Sequence, residues 1–527
     1  MQQAKAVVRD GALYSPGFDD IYHSMEGAVE EARHVFVEGN GLVQRFRQSR
    51  DFTIVETGFG CGLNFLSARE ALRQSGANCR LDYVSVEKHP FSRDDRANAL
   101  DHWPQFSGFS AQLLAAYPSL VPGFHRLHFD EGRVTLTLLF GDALEMLQEL
   151  DARADAFFLD GFAPAKNADM WSEAVFRQIG RLSARGATAA TYSVAAVART
   201  GLALAGFSVN KRRGFARKRE MLAGTRPGTS KAPHSRDKVV VIGAGIAGAA
   251  CAFALARRGV EVTVLDRAQT VASAASSNPA AIVRPFVTLD RGVRNRFGWA
   301  AFLYAVRLYR EINGLMGFTW NESGVLQLAR DTAQLHRLTL GIERNAFPPE
   351  VAQLVGAPQV NAIAGMKIDE PGAWFPGAGV VDGAALCRAL LKNASKLVQL
   401  RSACDVRSLR INPDSAQVLG ANQKVLETCG TVILANGIGA GALVPGPSPW
   451  LRTVRGQITA VAPVAPQLRV PVCRDGYVTP VIGNQHLVGA TYDELRVDVN
   501  AMDEDRQLNL QRLERILPRV MNQAGQP

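Results

Sequence analysis

Apolar residues along this chain gather in short unbroken runs, each followed directly by glycine or by an acid. Phe52–Val55, Leu81–Val86, Val134–Phe140 and Ala156–Leu159 are too brief for helices and read as strands buried on both faces. Between the first two, apolar residues recur at helical spacing, which predicts an amphipathic helix over Leu63–Gln74. The order strand, glycine turn, helix, strand is that of a parallel α/β sheet. The pattern restarts later in the chain. Lys238–Ile242 reads as a strand, a helix follows to Arg257, Glu261–Leu265 is the next strand, and Thr431–Leu434 is another apolar run. Residues 14–40 show no clear period and receive no element.

At 527 residues the chain exceeds one hydrophobic core, so two or more domains are expected. Thr225–Asp237 is rich in Gly, Pro, Ser and Thr and marks a boundary. The expected division is a first domain over 1–224, a linker over 225–237 and a second domain over 238–527. With 47% hydrophobic and 20% charged residues, the composition is that of an ordinary globular protein. Seven cysteines form no Cys-x-x-Cys pair and have no histidines at metal-ligand spacing. Free thiols in a reducing compartment and no metal site are expected. The N-terminus carries Lys5, Arg9 and Asp10 without an apolar core, so it does not read as a signal peptide. Val239–Ala256 runs eighteen residues without a charge, the length of a membrane span. Gly243, Gly245 and Gly248 interrupt it at defined offsets, however, and a strand, a turn and a helix explain it better. No membrane contact is expected.

Chemistry concentrates at the strand ends. Gly58, Gly60 and Gly62 form a Gly-x-Gly-x-Gly turn after the first strand, where backbone can pass close to a ligand. The spacing lacks the longer dinucleotide offset and suits S-adenosylmethionine. Glu87 ends the second strand, placed to accept hydrogen bonds from ribose hydroxyls. Asp142 follows the third, where an adenine edge would lie, and Asp160 the fourth. Asp160-Gly161 is also a common turn pair, and Asp160 alone could be a cap. Three acids, each at a strand end, argue for a shared site.

Net charge is +10, and much of it is local. Between Gly206 and Lys238 ten Lys or Arg residues stand against Glu220 and Asp237. The tightest part holds Lys211, Arg212, Arg213, Arg217, Lys218 and Arg219. Such a cluster is often a solvated face or a linker, yet phosphate backbones reward this density through counterion release.

The runs Glu56–Asn64, Phe158–Trp171 and Gly214–Leu222, the second with its Asp-Gly-Phe-Ala-Pro-x-x-Asn-x-x-Met-Trp signature, resemble the N-terminal half of the bifunctional tRNA 5-methylaminomethyl-2-thiouridine biosynthesis family. The resemblance extends over Phe18–Arg33; family members often have Pro where this chain has Ala168. It implies a Rossmann-like S-adenosylmethionine methyltransferase acting on the aminomethyl group of the tRNA wobble uridine. Glu56 and Asn64 then join Gly58, Gly60, Gly62, Glu87 and Asp142 as the expected cofactor set. Asp160 becomes the expected catalytic group, orienting the amine and taking its proton. Lys166 is expected to be a phosphate contact or a surface residue, and the basic cluster to hold an anticodon stem.

Gly243, Gly245 and Gly248, with Asp266 after the next strand, form a full dinucleotide fingerprint, Gly-x-Gly-x-x-Gly in context. Asp266 favours a free ribose 2′-hydroxyl and argues against NADP; NAD and FAD remain open on this motif. Ala274–Pro279, including Asn278, and Thr431–Gly437 resemble FAD oxidoreductases of the amino-acid oxidase type. Arg455-Gly456-Gln457, Asp475–Pro480 and Leu487–Asp493 match the C-terminal half of the same bifunctional family. The resemblance implies FAD, an inserted α+β substrate subdomain and removal of the carboxymethyl group from carboxymethylaminomethyl-uridine. Family members continue past the amphipathic stretch Leu508, Leu510, Leu513, Ile516 and Leu517, so the second domain is expected to be truncated at its C-terminus. The expected protein is a cytoplasmic monomer performing both steps; the alternative keeps methyl transfer and leaves the second half an incomplete oxidase or a tRNA-docking module.

Overall fold

The computed structural model describes residues 1–9, 12–24, 27–216, 218–229, 238–290, 292–444, 446, 451–496 and 498–518. The chain divides into two compact units, Met1–Pro233 and His234–Pro527.

In the first unit, β1 (Val7–Arg9), β2 (Ala12–Ser15) and β3 (Asp20–Ser24) make a small antiparallel sheet. The main sheet follows with β4 (Asp51–Thr57), helix α1 (Leu63–Ser75), β5 (Arg80–Glu87), β6 (Gly123–Phe129), β7 (Val134–Phe140), helix α2 (Ala143–Glu149), β8 (Ala154–Leu159), β9 (Ser183–Thr191), β10 (Ser208–Arg213) and β11 (Glu220–Thr225). Its order is β10-β11-β9-β8-β4-β5-β7-β6. Strands β9, β8, β4, β5 and β7 run parallel, while β6, β10 and β11 are antiparallel to their neighbours. One face buries Ile54, Tyr83, Leu136, Leu138 and Phe158 with Phe65 and Leu66; the other buries Val55, Val84, Leu139 and Phe157 with Met146 and Phe176. Covering on both faces is why these strands read as continuous apolar runs rather than as alternation.

From β4 the chain crosses first to β5 and later to β8 on the opposite side. That reversal opens a crevice at the carboxyl ends of β4 and β8. The register pairs Thr57 with Leu159, which sets the residues after them side by side.

In the second unit, four parallel strands lie in the order Val398–Arg401, Val262–Leu265, Val239–Ile242, Thr431–Leu434. Helix Ile246–Arg257 follows the third of these in the sheet. A seven-stranded mixed sheet, with Val325–Leu328 near its centre, packs Leu326, Leu328, Val472 and Val488 against Leu513 and Ile516 of helix Asp503–Ile516. This is the α+β part. The charge-free segment from Val239 resolves into strand, turn and helix, and among the described residues no helix is long and apolar enough to cross a membrane. All seven cysteines are free thiols.

The structure differs from the sequence reading at four points. Residues 14–40, which received no element, contain β2, β3 and helical turns over Ala28–Ala32 and Arg33–Glu38. Glu56 and Thr57 belong to β4 rather than to the turn, because pairing with β5 and β8 continues through Thr57. Thr225, assigned to the linker, is the last residue of β11 and pairs with both Ser208 and Thr188; residues 230–237 of that linker lie outside the described residues. Leu508 is exposed: the last helix turns Asp505, Asn509, Leu513 and Ile516 inward instead. Asn509 there donates to Gln457 O at 2.9 Å and Thr459 Oγ1 at 3.1 Å, and Asp505 pairs with Arg455, so polar anchors fix the helix face.

Candidate functional site

The glycine turn after β4 packs against the carboxyl ends of β8 and β5. Gly58 has φ +80°, and a Cβ there would stand 3.2 Å from the Asp160 carbonyl oxygen and 3.3 Å from Gly161 Cα. The Gly58 and Phe59 amides both donate to Val86 O, at 2.9 and 3.2 Å. Thr57 Oγ1 donates to Asp160 O at 2.8 Å, which ties the β8 end to the β4 end. Gly60 (φ +52°) donates its N–H to Glu87 Oε2 at 2.8 Å.

Above this turn lies a cavity of about 790 Å³, whose walls include Gly58, Gly60, Asn64, Glu87, Asp142 and Asp160. That volume lies within the range of small-molecule sites. Glu87 accepts from the amides of Gly60 and His89, each at 2.8 Å, and its carboxyl retains further lone pairs for a ligand. Burial pushes its pKa up. Asp142 does cap a helix: it accepts from Leu144 N at 3.0 Å at the start of α2, and Lys88 Nζ lies 3.0 Å away. Burial works to raise the Asp142 carboxyl, but Lys88 and the helix amides outweigh it and hold it low.

Two members of the expected cofactor set lie away from the cavity wall. Gly62 starts α1 at φ +99°, and a Cβ there would meet the Phe59 ring at 3.0 Å and Leu113 at 3.1 Å, so its side faces the core. Glu56 is fully buried within β4. Its carboxyl receives Ser85 Oγ at 2.6 Å and Asn64 Nδ2 at 2.9 Å, and burial pushes its pKa up to about 8. Alternation along β4 points this side chain into the sheet's packing rather than at the ligand space.

Asp160 stands at the carboxyl end of β8. One oxygen accepts from Gly161 N at 2.8 Å, the turn bond its Asp-Gly sequence suggests; the other accepts from Asn64 Nδ2 at 2.7 Å. Desolvation pushes its pKa up to about 6. The loop after it is held from several directions. Phe18 stacks on Phe162 with ring centroids 4.5 Å apart, and Asp20 Oδ2 accepts from Ala163 N at 2.9 Å. Trp171 Nε1 donates to Phe162 O at 3.0 Å, and Tyr192 OH to Gly161 O at 2.6 Å. Lys166 is exposed and pairs with Asp19 at 2.9 Å.

The basic residues divide between the β10–β11 hairpin and the cavity. Arg212 and Arg213 are exposed on β10, and Arg219 is exposed just before β11. Lys211 pairs with Glu220 at 2.7 Å. Lys218 reaches the cavity, where it pairs with Glu31 at 2.6 Å and sits 4.2 Å from the centre of the Tyr192 ring. Arg217 lies outside the described residues.

In the second unit each glycine of the fingerprint answers to a different constraint. Gly243 has φ +105°, with Ala435 O 2.5 Å from where a Cβ would be. At Gly248 a Cβ would fall 1.8 Å from Gly243 O, so only glycine lets the helix close on the turn. Gly245 has ordinary extended backbone, and its Cβ would meet only the Ser276 side chain, with Oγ at 2.9 Å. The fold itself does not demand glycine there; a group approaching the backbone does. Asp266 accepts from Ala244 N at 2.6 Å and Ala268 N at 2.8 Å. Asn436, after strand Thr431–Leu434, has a buried side-chain oxygen without a partner, beside Gly243. Asn278 accepts from Ala280 N at 2.9 Å. The turn, the acid and the orphaned amide fit a dinucleotide.

Comparison with known proteins follows the same division. The family described as S-adenosyl-L-methionine-dependent methyltransferase matches residues 104–227, and the FAD dependent oxidoreductase family matches residues 238–525. The tRNA 5-methylaminomethyl-2-thiouridine biosynthesis bifunctional protein MnmC of Burkholderia multivorans is 42% identical, over 97% of this chain and 80% of that protein. Its counterpart from Azoarcus sp. is 41% identical, over 97% of this chain and 81% of that protein. The chain belongs to the MnmC bifunctional family. Among solved structures, glycine oxidase from Bacillus cereus is 22% identical with a TM-score of 0.44, over 53% of this chain and 80% of that one.

Within the MnmC frame, the methyltransferase unit has cavity residues that sequence reasoning did not single out as site residues: Phe18, Asp20, Tyr22, Glu31, Phe162 and Tyr192. They arrive from the β2–β3 turn, β3, the first helical turn, the loop after β8 and the residue just after β9. No spacing rule links such distant positions. The available signals were the family-like stretches Phe18–Arg33 and Phe158–Trp171, which supply five of the six.

Proposed function

We propose that Asp160 is the group that orients the amine in methyl transfer and receives its proton. As a member of the MnmC family, the chain is a bifunctional enzyme of tRNA wobble-uridine modification. Its FAD oxidoreductase domain removes the carboxymethyl group from 5-carboxymethylaminomethyl-2-thiouridine, and its methyltransferase domain converts the resulting aminomethyl group to methylaminomethyl. The observation that carries the residue assignment is the meeting of the β4 glycine turn with Asp160 at the switch point of the sheet, on one cavity.

An amine attacks a methyl group only as its neutral form and becomes cationic as the bond forms. A carboxylate beside it offsets that charge and accepts the proton. With a pKa near 6, Asp160 is mostly ionised at neutral pH. Gly58, Gly60, Asn64, Glu87 and Asp142 would hold S-adenosylmethionine, with Glu87 accepting from its ribose. Aromatic walls from Phe162, Tyr22 and Tyr192 suit a uracil ring taken out of its stack. Arg212, Arg213 and Arg219 would meet tRNA phosphates, joined by Arg217. In the second unit, Gly243, Gly245, Gly248, Asp266 and Asn278 would hold FAD. FAD, when bound, would supply the two-electron acceptor for oxidising the secondary amine to an imine, which water would split into the free aminomethyl group and a two-carbon oxo acid. A first domain that runs through Thr225, a second over 238–527, a monomeric state and a cytoplasmic location belong to the same proposal.

The test is nucleoside analysis of tRNA bearing carboxymethylaminomethyl-2-thiouridine after incubation with the purified protein, FAD and S-adenosylmethionine. Methylaminomethyl-2-thiouridine is the expected product. Methylation of supplied aminomethyl tRNA without loss of carboxymethyl groups would leave methyl transfer alone standing. Carboxymethyl groups retained and supplied aminomethyl tRNA left unmethylated would overturn the proposal.

A further inference from the structure

The fully buried acid Glu56 has no part in the chemistry described above, yet it shares one atom with the residue that does. Asn64 Nδ2 lies 2.9 Å from Glu56 Oε1 and 2.7 Å from Asp160 Oδ2. A side-chain amide has two N–H bonds on that nitrogen, one for each acid. We propose that Glu56 is a positioning residue for methyl transfer, fixing the Asn64 amide so that one N–H is always delivered to the Asp160 carboxylate.

The geometry gives Asn64 two orientations to choose between. With its nitrogen toward the acids it donates to both; flipped, it would place its carbonyl oxygen against Asp160 Oδ2 and leave that oxygen without its donor, with Gly161 N alone serving Oδ1. Glu56 accepts from Asn64 at Oε1 and from Ser85 Oγ at Oε2, 2.6 Å away. Those donors work to lower its pKa, but burial outweighs them and favours the neutral acid, with a pKa up to about 8. The pair thus carries one charge, on Asp160. Because an amide does not hand protons on, the two acids do not share one; their environments hold them in different roles.

Other groups also act on these two carboxyls. The Tyr83 hydroxyl is buried beside Glu56, and Asp160 itself raises the Glu56 pKa. Around Asp160, Glu31 works to raise its pKa and Lys218 to lower it, while Tyr192 and the Cys61 thiol also feel its charge. Asp20 stands near Tyr192 as well. Lys218 pairs with Glu31 at 2.6 Å, so their opposing effects travel together. Asn64 and Gly161 N remain the direct donors to Asp160.

This inference rests on Asp160 facing the amine, and the experiment separates the two. Single-turnover methylation of aminomethyl tRNA is followed against pH at saturating S-adenosylmethionine. The variants are Asp160→Asn, Glu56→Gln, Glu56→Ala, Asn64→Ala and the Glu56→Ala/Asn64→Ala double variant, with cofactor affinity measured for each. Wild type should lose rate as pH falls through about 6, and the residual rate of Asp160→Asn should be flat there. Glu56→Gln still offers a carbonyl oxygen to Asn64 and should keep the limb in place, with a rate within about threefold of wild type. Glu56→Ala and Asn64→Ala should each move the limb up by about one unit, as a carboxylate losing a donor requires. The double variant should shift no further than Asn64→Ala, because Glu56 acts through Asn64. A limb near 6 that persists in Asp160→Asn would sink the Asp160 reading itself. With that limb assigned to Asp160, an unmoved limb in Asn64→Ala or in a folded Glu56→Ala protein, or a downward shift in Glu56→Gln, overturns the present inference. Should Glu56→Ala fail to fold, Asn64→Ala and Glu56→Gln decide alone.

Discussion

Phe18 lies stacked on Phe162, with ring centroids 4.5 Å apart and planes 23° from parallel. Phe18 sits in the turn between β2 and β3, and Phe162 two residues after Asp160. The contact therefore joins the N-terminal hairpin to the loop that carries the candidate catalytic group. Asp20 and Lys166 tie the same two segments through Ala163 N and Asp19. Phe18→Ala should cost about 1 kcal/mol beyond its buried area, the usual worth of an aromatic pair. It should also lower methylation several-fold while leaving cofactor affinity near wild type. Thermal unfolding and single-turnover rates check this; an unchanged rate would show that the hairpin does not steady the loop.

Asp160→Asn should keep the fold and the affinity for S-adenosylmethionine, since an amide oxygen can still accept from Gly161 N. It should lose most methyl transfer, because no charge then faces the amine. Ionised Asp160 is the working form and its pKa is raised to about 6, so wild-type activity should fall as pH drops through that value. Near-normal turnover by a folded Asp160→Asn protein would refute the role.

Glu56 makes stability depend on pH in the opposite sense from a salt-bridged acid. Its folded-state pKa is raised from 4.5 to about 8, so the folded state binds the proton more tightly than the unfolded chain. Its contribution is fully present below about 4.5 and is lost as pH climbs through about 8. Glu56→Gln should flatten this slope and gain stability relative to wild type at alkaline pH. Thermal melts at pH 5 and pH 9, chosen as roughly bracketing values, read the difference directly; equal slopes in both proteins would mean that Glu56 is charged in the native state.

Arg212, Arg213, Arg217 and Lys218 changed together to Ala should weaken tRNA binding and flatten its salt dependence, by roughly one unit of slope for each phosphate no longer neutralised. The structure refines the expectation. Arg212 and Arg213 are exposed on β10 and pair with no carboxylate among the described residues, whereas Lys218, at the cavity wall, already pairs with Glu31. Lys218→Ala alone should therefore reduce the slope less than Arg212→Ala with Arg213→Ala. An unchanged slope in the quadruple variant would return the hairpin to a plain solvated face.

Gly245→Val should abolish flavin retention, visible as loss of yellow colour, because its side chain would fill the approach that the backbone leaves open beside Ser276. Carboxymethylaminomethyl-uridine should then accumulate, while supplied aminomethyl tRNA is still methylated. Loss of that methylation in a folded protein would mean that the two halves share a site.

Strands β4, β5, β7 and β8, three strands of the second unit's parallel sheet, both glycine turns and the acids at strand ends are legible in the sequence alone, whereas β1–β3, β6 and β9–β11 are not. Backbone closure at Gly243 and Gly248 leaves no room for a Cβ, and strands covered on both faces must be apolar throughout; both constraints are local and leave a readable trace. The resemblance carried the second cofactor and the substrate. Tertiary structure alone decided which residues share the cavity. Glu56 and Gly62 lie within the glycine motif yet face the core, whereas Phe18, Glu31 and Tyr192 come from distant segments and line the ligand space. Which neighbour a side chain meets depends on strand order and on the side of the sheet it faces. The crossing from β4 to β5 and then back to β8 places Asn64 between two acids that stand far apart in sequence, and nothing in local spacing encodes that meeting.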